Sequence, residues 1–323
     1  MNLTDQIAER YVPEVFELDP VWGTLAGISG HDDRMADLSP GGFEARADLD
    51  RRTIAAVRAV APASEPEQVA TAAMLERLGL AVEQYDAGDT TSDINVIASW
   101  MHSVRWVFDL MPVDGEQAQR DLAVRMAAVP QAYAGLSRTY AAAAAQGRVA
   151  ARRQVEGCAQ QCASWSSGGG FYAGLVERTR ATGALRAQLD KAAQDASAAT
   201  AEFGRFLRTD LLPLAPERDA VGRERYDRAS RSSLGAAVDL DEAYAWAGRR
   251  YDGSKRKWHE SRAGSFPAGP WSRLSPRSRP TRRGGSQAGR TCGPGCRTTP
   301  MPPSRSCTAR TLTFPSQPAG SSA

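Results

Sequence analysis

The first 250 residues alternate between helical stretches and short breaks. Behind the capping-box pair Ser64 and Glu67, apolar side chains recur every three or four residues on one helix face, and these are Met74, Leu78, Ala81, Val82 and Tyr85. Gly88 follows where such a helix would end. A second seam alternates spacings of four and three: Leu185, Leu189, Ala192, Ala196, Ala199, Phe203 and Phe206. This seam predicts a helix that packs antiparallel against a neighbour.

Breaks between the helices and the overall composition favour one fold class. Pro, Gly and polar residues interrupt the chain at 39–42, 86–91, 111–112, 147, 166–170 and 214–216. Alanine is abundant and alternating β-branched runs are almost absent, which leaves little material for a sheet. The sequence therefore predicts an all-α protein, a multi-helix array of long amphipathic helices of roughly 15 to 25 residues each.

The end of the chain has a different composition. Residues 1–250 carry a net charge of −8, whereas residues 251–323 carry +11 and hold 10 of the 19 prolines. Only four residues of the Leu, Ile, Val and Phe class occur in that last segment. Such a segment buries too little apolar area to offset its chain entropy. We therefore predict a helical part, residues 1–247, and a disordered basic tail rich in Pro, Gly, Ser and Arg, residues 248–323.

The compartment is inferred from the absence of leader and span signals. No stretch approaches 18 consecutive apolar residues, and residues 1–6 contain neither a basic nor an apolar leader region. We therefore expect a soluble, cytoplasmic chain with no membrane contact. Five cysteines is an odd number in a chain that needs no disulfide framework, so reduced thiols are expected.

The histidines are the first candidates for metal ligands, and they are His31, His102 and His259. No two of them are close enough in sequence to share a helix face. His259 and Glu260 begin like the H-E-x-x-H zinc motif, but the position of its second histidine is Ala263. Gly264, together with the prolines at 267 and 270, also argues against a helix here. A zinc motif is therefore absent from this stretch.

Cysteine and glycine clusters offer further candidates. Cys158 and Cys162 share a helix face, and two small buried side chains are favoured over a redox or metal pair. The thiols of Cys292, Cys296 and Cys307 lack the fourth ligand of a zinc knuckle. Gly168–Gly170 with Ala173 matches G-x-G-x-x-A but lacks the preceding strand, so an interhelix loop is favoured. The carboxylates are spread over helix surfaces, as in a solvated face. No catalytic, cofactor-binding or metal residue is assigned.

The basic tail admits two interpretations. One is a disordered arm that neutralises the phosphates of a nucleic acid, with Lys255, Arg256, Lys257, Arg273, Arg277, Arg279, Arg282 and Arg283 as candidates. Aromatic residues are not interleaved with these charges as stacking platforms, and Lys191 is the only lysine before residue 255. The second interpretation is the wrong reading frame of a GC-rich gene, whose shifted codons yield Arg, Pro, Gly, Ser, Ala and Cys.

Several blocks in the first part resemble one family. They are Leu18–Pro20, Gly27, Asp32–Asp33, Asp37–Pro40, Asn95–Ser99, Val107–Pro112, Ala150–Val155, Ala220–Tyr226 and Val238–Trp246. In this order they resemble the actinobacterial branch of the domain of unknown function 885 family, over residues 1 to about 247. The resemblance stops near Trp246. Read one base earlier, codons permitted for residues 307–315 spell Leu-His-Gly-Thr-His-Phe-Asp-Ile-Pro, which resembles a segment of the family. We therefore favour a frameshift after about residue 247.

The resemblance implies a function for complete members of the family. They resemble helical zinc metallopeptidases of the gluzincin type, in which a His-Glu helix in the C-terminal half supplies metal ligands and a general base. Nothing here matches that helix, so no residue is carried over, and zinc is expected only in complete members. The retained helices would form the wall and cover of a substrate channel for peptides. We expect a truncated, inactive relative whose unpartnered seams, such as Leu185–Phe206, are exposed.

Two alternatives belong to other classes. The first is a helical binding module whose basic arm contacts nucleic acid or anionic surfaces, with binding that weakens steeply as salt rises. The second is an enzyme that uses surface carboxylates and no metal. Neither has support beyond charge, and no partner is identified from the sequence; nucleic acid is not the expected one.

Overall fold

A computed structural model describes residues 2–265 of the chain, with side-chain environments for residues 2–256. Helices account for most of this part, and the prediction of an all-α fold is confirmed. The α-helices are α1 (Leu3–Leu18), α2 (Pro20–Leu25), α3 (Pro40–Arg58), α4 (Glu65–Asp86), α5 (Trp100–Leu110), α6 (Glu116–Ala127), α7 (Val129–Ala145), α8 (Arg152–Ser166), α9 (Phe171–Thr179), α10 (Gly183–Phe206), α11 (Arg223–Leu234) and α12 (Leu240–Ser265). A π-helical turn (Leu207–Leu211) and a 3-10 turn (Leu212–Leu214) continue α10.

The start and end of α4 follow from local sequence. The Ser64 side chain accepts a hydrogen bond from the Glu67 backbone N–H at 3.4 Å, as the capping-box spacing predicts. The Glu67 carboxylate in turn accepts from the Ala63 backbone N–H at 2.8 Å. The helix ends at Asp86, and Gly88 follows with φ of 76°, a conformation that glycine adopts without strain. The predicted helix and its glycine stop are therefore confirmed.

Helix α10 lies at the centre of the core. It packs against α6, α7, α8 and α9, and its seam residues Leu189, Ala196 and Phe203 are completely or almost completely buried. The Phe203 ring stacks on Tyr133 of α7 with 4.7 Å between ring centroids. The expectation that the seam from Leu185 to Phe206 forms an exposed patch is wrong, because α6, α7 and α8 already cover it.

The remaining helices build the support for a surface groove. Helices α1, α3 and α4 pack on one another, and α3 also contacts α7. The Tyr11 hydroxyl of α1 donates to the Asp50 carboxylate of α3 at 2.8 Å. Helix α2 packs on α5.

None of the helices within residues 2–265 combines the length and apolarity that crossing a bilayer would require.

Helix α12 extends further than the sequence predicts. The prolines at 267 and 270 argue against a helix around Ala263, yet α12 continues to Ser265. Both prolines lie beyond the last described residue, and Gly264 is tolerated within α12 at a cost of about 1 kcal/mol relative to alanine. Residues 248–265 therefore belong to α12. The rest of the predicted tail, residues 266–323, lies outside the described residues, and the frameshift stays a prediction.

Candidate functional site

Three tryptophans line an open groove on the surface of the helical array. Trp22 comes from α2, and Trp100 and Trp106 come from α5. The groove has a volume of about 480 Å³ and is completed by Gln84 of α4, by the 87–99 loop and by α11. Trp22 and Trp106 remain 54% and 40% exposed. A concave surface with clustered, accessible aromatic rings is typical of a binding site. We call this feature the tryptophan groove.

The 87–99 loop forms one wall of the groove and is fixed by hydrogen bonds. The Asn95 side-chain oxygen accepts from the backbone N–H groups of Ile97 and Ala98 at 3.0 and 2.8 Å, as in an Asx turn. The Tyr140 hydroxyl donates to the Asp93 carbonyl at 2.7 Å. The Trp100 indole N–H donates to the Thr90 carbonyl at 3.1 Å. These bonds hold the loop and the Trp100 ring in one geometry.

Charged groups of both signs lie along the groove. Asp89 is 2.6 Å from Arg228 and 3.7 Å from Arg225, both on α11. Burial raises the pKa of Asp93, while its hydrogen bond with Asn95 and the charge of Arg225 oppose this rise. The groove therefore presents Asp93 and Arg225, an acceptor and a donor, beside its aromatic rings.

A small pocket adjoins the tryptophan groove, and Trp22 and Trp100 line both. The pocket has a volume of about 150 Å³ and is also lined by Tyr11, Val15, Leu18, Asp19, Arg46, Leu49 and Asp50. The guanidinium of Arg46 lies 5.2 Å from the centre of the Phe43 ring and 5.5 Å from that of Trp100. We call this feature the Asp19 pocket.

A buried arginine of α6 anchors the segment that carries Trp22. Arg125 is completely buried and donates to the Arg34 carbonyl at 2.8 Å and to the Pro20 carbonyl at 3.4 Å. It also donates to the His31 carbonyl. Desolvation lowers the pKa of Arg125 to about 10, so the side chain is still charged at neutral pH. One arginine thus holds three main-chain oxygens between residues 20 and 34.

The histidines singled out from the sequence do not form a site together. His31 is buried, with its Nδ1 2.8 Å from Arg34, and its ring packs edge-on against Phe16. His102 Nδ1 accepts from the Ser99 backbone N–H at 3.1 Å, which caps α5. Burial lowers the pKa of His102, so it is neutral at pH 7. His259 lies beyond the residues whose side chains are described. In the described part, no three His, Cys, Asp or Glu side chains are grouped to hold a metal ion.

The other candidates have structural positions. Cys158 and Cys162 are free, completely buried thiols, and burial raises the pKa of each to about 12. Their interpretation as small buried side chains is confirmed. Gly168–Gly170 lies in the connection between α8 and α9, as predicted for an interhelix loop. The remaining three cysteines lie outside the described residues.

The tryptophan groove was not predicted from the sequence. Its three tryptophans come from two helices that are far apart along the chain, and no periodicity links them. One signal was available, because two blocks that carry the family resemblance, Asn95–Ser99 and Ala220–Tyr226, border the groove. The resemblance identifies these blocks in the sequence, but it does not predict that they lie beside a groove.

Two solved structures share the fold of this chain. One is described as "the putative lipoprotein from Colwellia psychrerythraea"; it is 16% identical, with a TM-score of 0.61 over 75% of this chain and 48% of that one. The other is described as "a putative lipoprotein of unknown function from Shewanella oneidensis", with 14% identity and a TM-score of 0.63 over 84% of this chain and 50% of that one. The chain therefore spans about half the length of these structures.

These neighbours correct the expected location. The cytoplasmic prediction rested on the composition of residues 1–6 and on the lack of a long apolar stretch. Both neighbours are described as lipoproteins, a class that is held at a membrane by its lipid. The prediction of a cytoplasmic location is therefore wrong, since an absent leader signal does not determine the compartment.

Family membership follows from a sequence comparison. No curated protein matches the chain. A family described as "Bacterial protein of unknown function (DUF885)" matches residues 20–263, which is most of the helical part and includes the four helices that line the groove, α2, α4, α5 and α11. The chain belongs to the DUF885 family of bacterial proteins.

Proposed function

We propose that this chain is a truncated, inactive member of a family whose complete members hydrolyse peptides with zinc, and that it keeps their peptide-binding surface. The observation that carries the proposal is the tryptophan groove, in which Trp22 and Trp106 are exposed beside the half-buried Trp100. The zinc site would belong to the C-terminal half that the resemblance implies. Peptide binding without hydrolysis is the resulting activity.

The lining of the groove suits an extended peptide. Its volume of about 480 Å³ lies in the range of ligand sites, roughly 300 to 1,000 Å³. Aromatic rings accept apolar side chains through area burial, which is the main source of affinity at such sites. The carboxylate of Asp93 and the guanidinium of Arg225 supply an acceptor and a donor that peptide N–H and C=O groups require. A peptide satisfies both kinds of group at once.

Isothermal titration of the full chain with a pool of unblocked pentapeptides, followed by the best single peptide, tests binding. We expect Trp106→Ala to weaken binding at least tenfold, about 1.4 kcal/mol. Trp246→Ala is the matched control, because Trp246 is 56% exposed on α12 and does not line the groove. Equal losses in both variants, or no binding by the wild-type chain, would contradict the proposal.

The inactive state has its own test. Peptides incubated with the purified chain and added zinc should remain intact by mass spectrometry. Cleavage that a chelator abolishes would refute the claim that the chain is inactive, and cleavage insensitive to chelators would favour the metal-free enzyme.

Sequencing the gene across codons 246–266 tests the frameshift. We expect the alternative frame to continue into a chain with a His-Glu metal helix.

We also propose that the protein works outside the cytoplasm. The support is the description of two proteins of the same fold as lipoproteins. Cell fractionation with an antibody against the full chain tests this location, and recovery in the cytosolic fraction alone would contradict it.

A further inference from the structure

The Asp19 pocket contains buried polar atoms that have no partner in the protein. Asp19 is only 4% exposed, and its Oδ1 is buried without a hydrogen bond. Two guanidinium nitrogens of Arg46, Nε and Nη1, are likewise buried and unpartnered. The remaining nitrogen, Nη2, donates to the carbonyls of Leu18 and Asp37 at 3.2 and 2.9 Å. A buried polar atom without a partner costs about 1 to 3 kcal/mol, so a ligand that supplies the missing partners gains this free energy on binding.

The charges of the pocket define what that ligand must supply. Among the residues that line the pocket, Asp19 and Asp50 are acidic and Arg46 is basic, so their ionised forms sum to one negative charge; Arg125 and Arg51 lie behind the lining and attract Asp19 and Asp50, respectively. Burial raises the pKa of both carboxyl groups, and the charge of Arg46 only partly offsets this for Asp19. Asp19 and Arg46 do not form an ion pair within 4 Å. The ligand therefore needs a cationic donor for Asp19 and, beside it, an acceptor for Arg46.

We propose that the Asp19 pocket binds the free N-terminal residue of a peptide, with its α-ammonium group on Asp19 and its first carbonyl oxygen on Arg46. This inference rests on the proposed peptide binding in the tryptophan groove. The α-ammonium and the first carbonyl are neighbouring groups in every unblocked peptide. A lysine side chain offers only the cation and would leave Arg46 unpaired, whereas an anion would leave Asp19 unpaired.

The size and position of the pocket support this assignment. A volume of about 150 Å³ accommodates a single residue and no longer segment. Trp22 and Trp100 line both the pocket and the groove, so a peptide that enters the pocket by its first residue continues along the groove. The Tyr11 hydroxyl, held by Asp50 at 2.8 Å, lies at the pocket wall. In this arrangement the pocket binds the first residue of the peptide, and the groove binds the residues that follow it.

The test compares three ligands on the full chain by isothermal titration: an unblocked pentapeptide, the same peptide acetylated at its N-terminus, and the first amino acid alone. We expect acetylation to weaken binding at least tenfold, and the free amino acid to bind more weakly than the pentapeptide because it leaves the groove empty. In Asp19→Asn the unblocked and acetylated peptides should bind alike. Asp48→Asn, an exposed carboxylate on the same helix as Arg46, is the matched control and should keep the preference.

The outcomes separate the pocket from the groove. If the acetylated peptide binds as tightly as the unblocked one, the N-terminal assignment is overturned while the groove stands. If the free amino acid binds as tightly as the pentapeptide, the pocket is an amino-acid site and the assignment to peptides is overturned. If none of the three binds, the proposed function itself fails. The comparison of ligands on the wild-type chain does not depend on whether Asp19→Asn folds.

Discussion

Replacing Arg125 by methionine tests how the segment that carries Trp22 is held. The substitution removes three donors to the main-chain carbonyls of Pro20, His31 and Arg34. Hydrogen bonds to charged groups contribute about 1.5 to 3 kcal/mol each, so three amount to roughly 5 kcal/mol or more. The fall in the pKa of Arg125 to about 10 corresponds to a net electrostatic cost of about 3 kcal/mol, because desolvation outweighs the attraction of nearby carboxylates, and methionine avoids this cost. We expect a net loss of at least about 2 kcal/mol.

Urea unfolding followed by circular dichroism and tryptophan fluorescence measures this loss. Arg120→Met is the matched control, because Arg120 lies on the same helix and only pairs with Glu116 at the surface. Such a pair contributes about 0 to 1 kcal/mol. Because the folded pKa is lowered, the desolvation penalty is fully present below about pH 10, so the difference should be constant from pH 6 to 8. A loss within 0.5 kcal/mol of the control would show that the carbonyls find other partners and refute the reasoning.

Three further outcomes follow from the packing and charges. Asp19→Asn should leave the unliganded chain equally stable or more stable at pH 7, because the raised pKa means that the folded state disfavours the ionised form. This penalty disappears only below the pKa of an unfolded Asp, about 3.9, so urea unfolding should show the stabilities of the two proteins converging as the pH falls below that value. Gly135→Ala should destabilise the folded chain by about 1 to 3 kcal/mol, since the added Cβ would lie 2.9 Å from the Ser39 backbone nitrogen. Gly79→Ala should stabilise the folded chain by about 0.5 to 1 kcal/mol, because nothing lies within 4 Å of its added Cβ, and the melting temperatures of the two variants check both signs. Cys158 and Cys162 should resist iodoacetamide in the native chain and react only on unfolding, because both thiols are buried with pKa values of about 12; peptide mapping that finds them alkylated under native conditions would contradict this.

Helices that are governed by local signals could be predicted from the sequence. The capping box at Ser64 and the glycine stop after Asp86 act over one helical turn, and the structure has both. The Leu185–Phe206 seam identified α10 as amphipathic, but a seam does not say which segment covers it. The partner helices α6, α7 and α8 belong to the same chain, so the seam is internal. Local periodicity thus predicts that one face of the helix is buried, but it does not predict which segment packs against that face.

The candidate site depends on tertiary contacts that no local pattern contains. Asp19 and Arg46 are 27 positions apart, and the pocket exists only because α1, α2 and α3 meet there. From the sequence, Arg125 would be expected to face solvent, as charged residues of amphipathic helices usually do. It is instead completely buried, because three main-chain carbonyls accept hydrogen bonds from it. Charged residues that are buried for such a reason resemble surface residues in a sequence. Their role becomes visible only when the acceptors are in place.

The two walls of the tryptophan groove are held by different forces. The 87–99 loop and α5 rest on buried contacts such as Phe108 and on main-chain hydrogen bonds. Helix α11 has no buried residue and is held by polar contacts, including Arg228 with Asp89 at 2.6 Å and Arg231 with Glu83 at 2.9 Å. The Arg228–Asp89 pair is mostly buried, with side chains 16% and 15% exposed, so salt screens it less than the more exposed Arg231–Glu83 pair. Displacing α11 would break these polar contacts without exposing a buried residue of that helix, whereas moving Trp100 would also disrupt the buried packing of α5. We therefore expect that, if the proposed peptide displaces one wall of the groove, that wall is α11, while Trp100 and the loop keep their geometry.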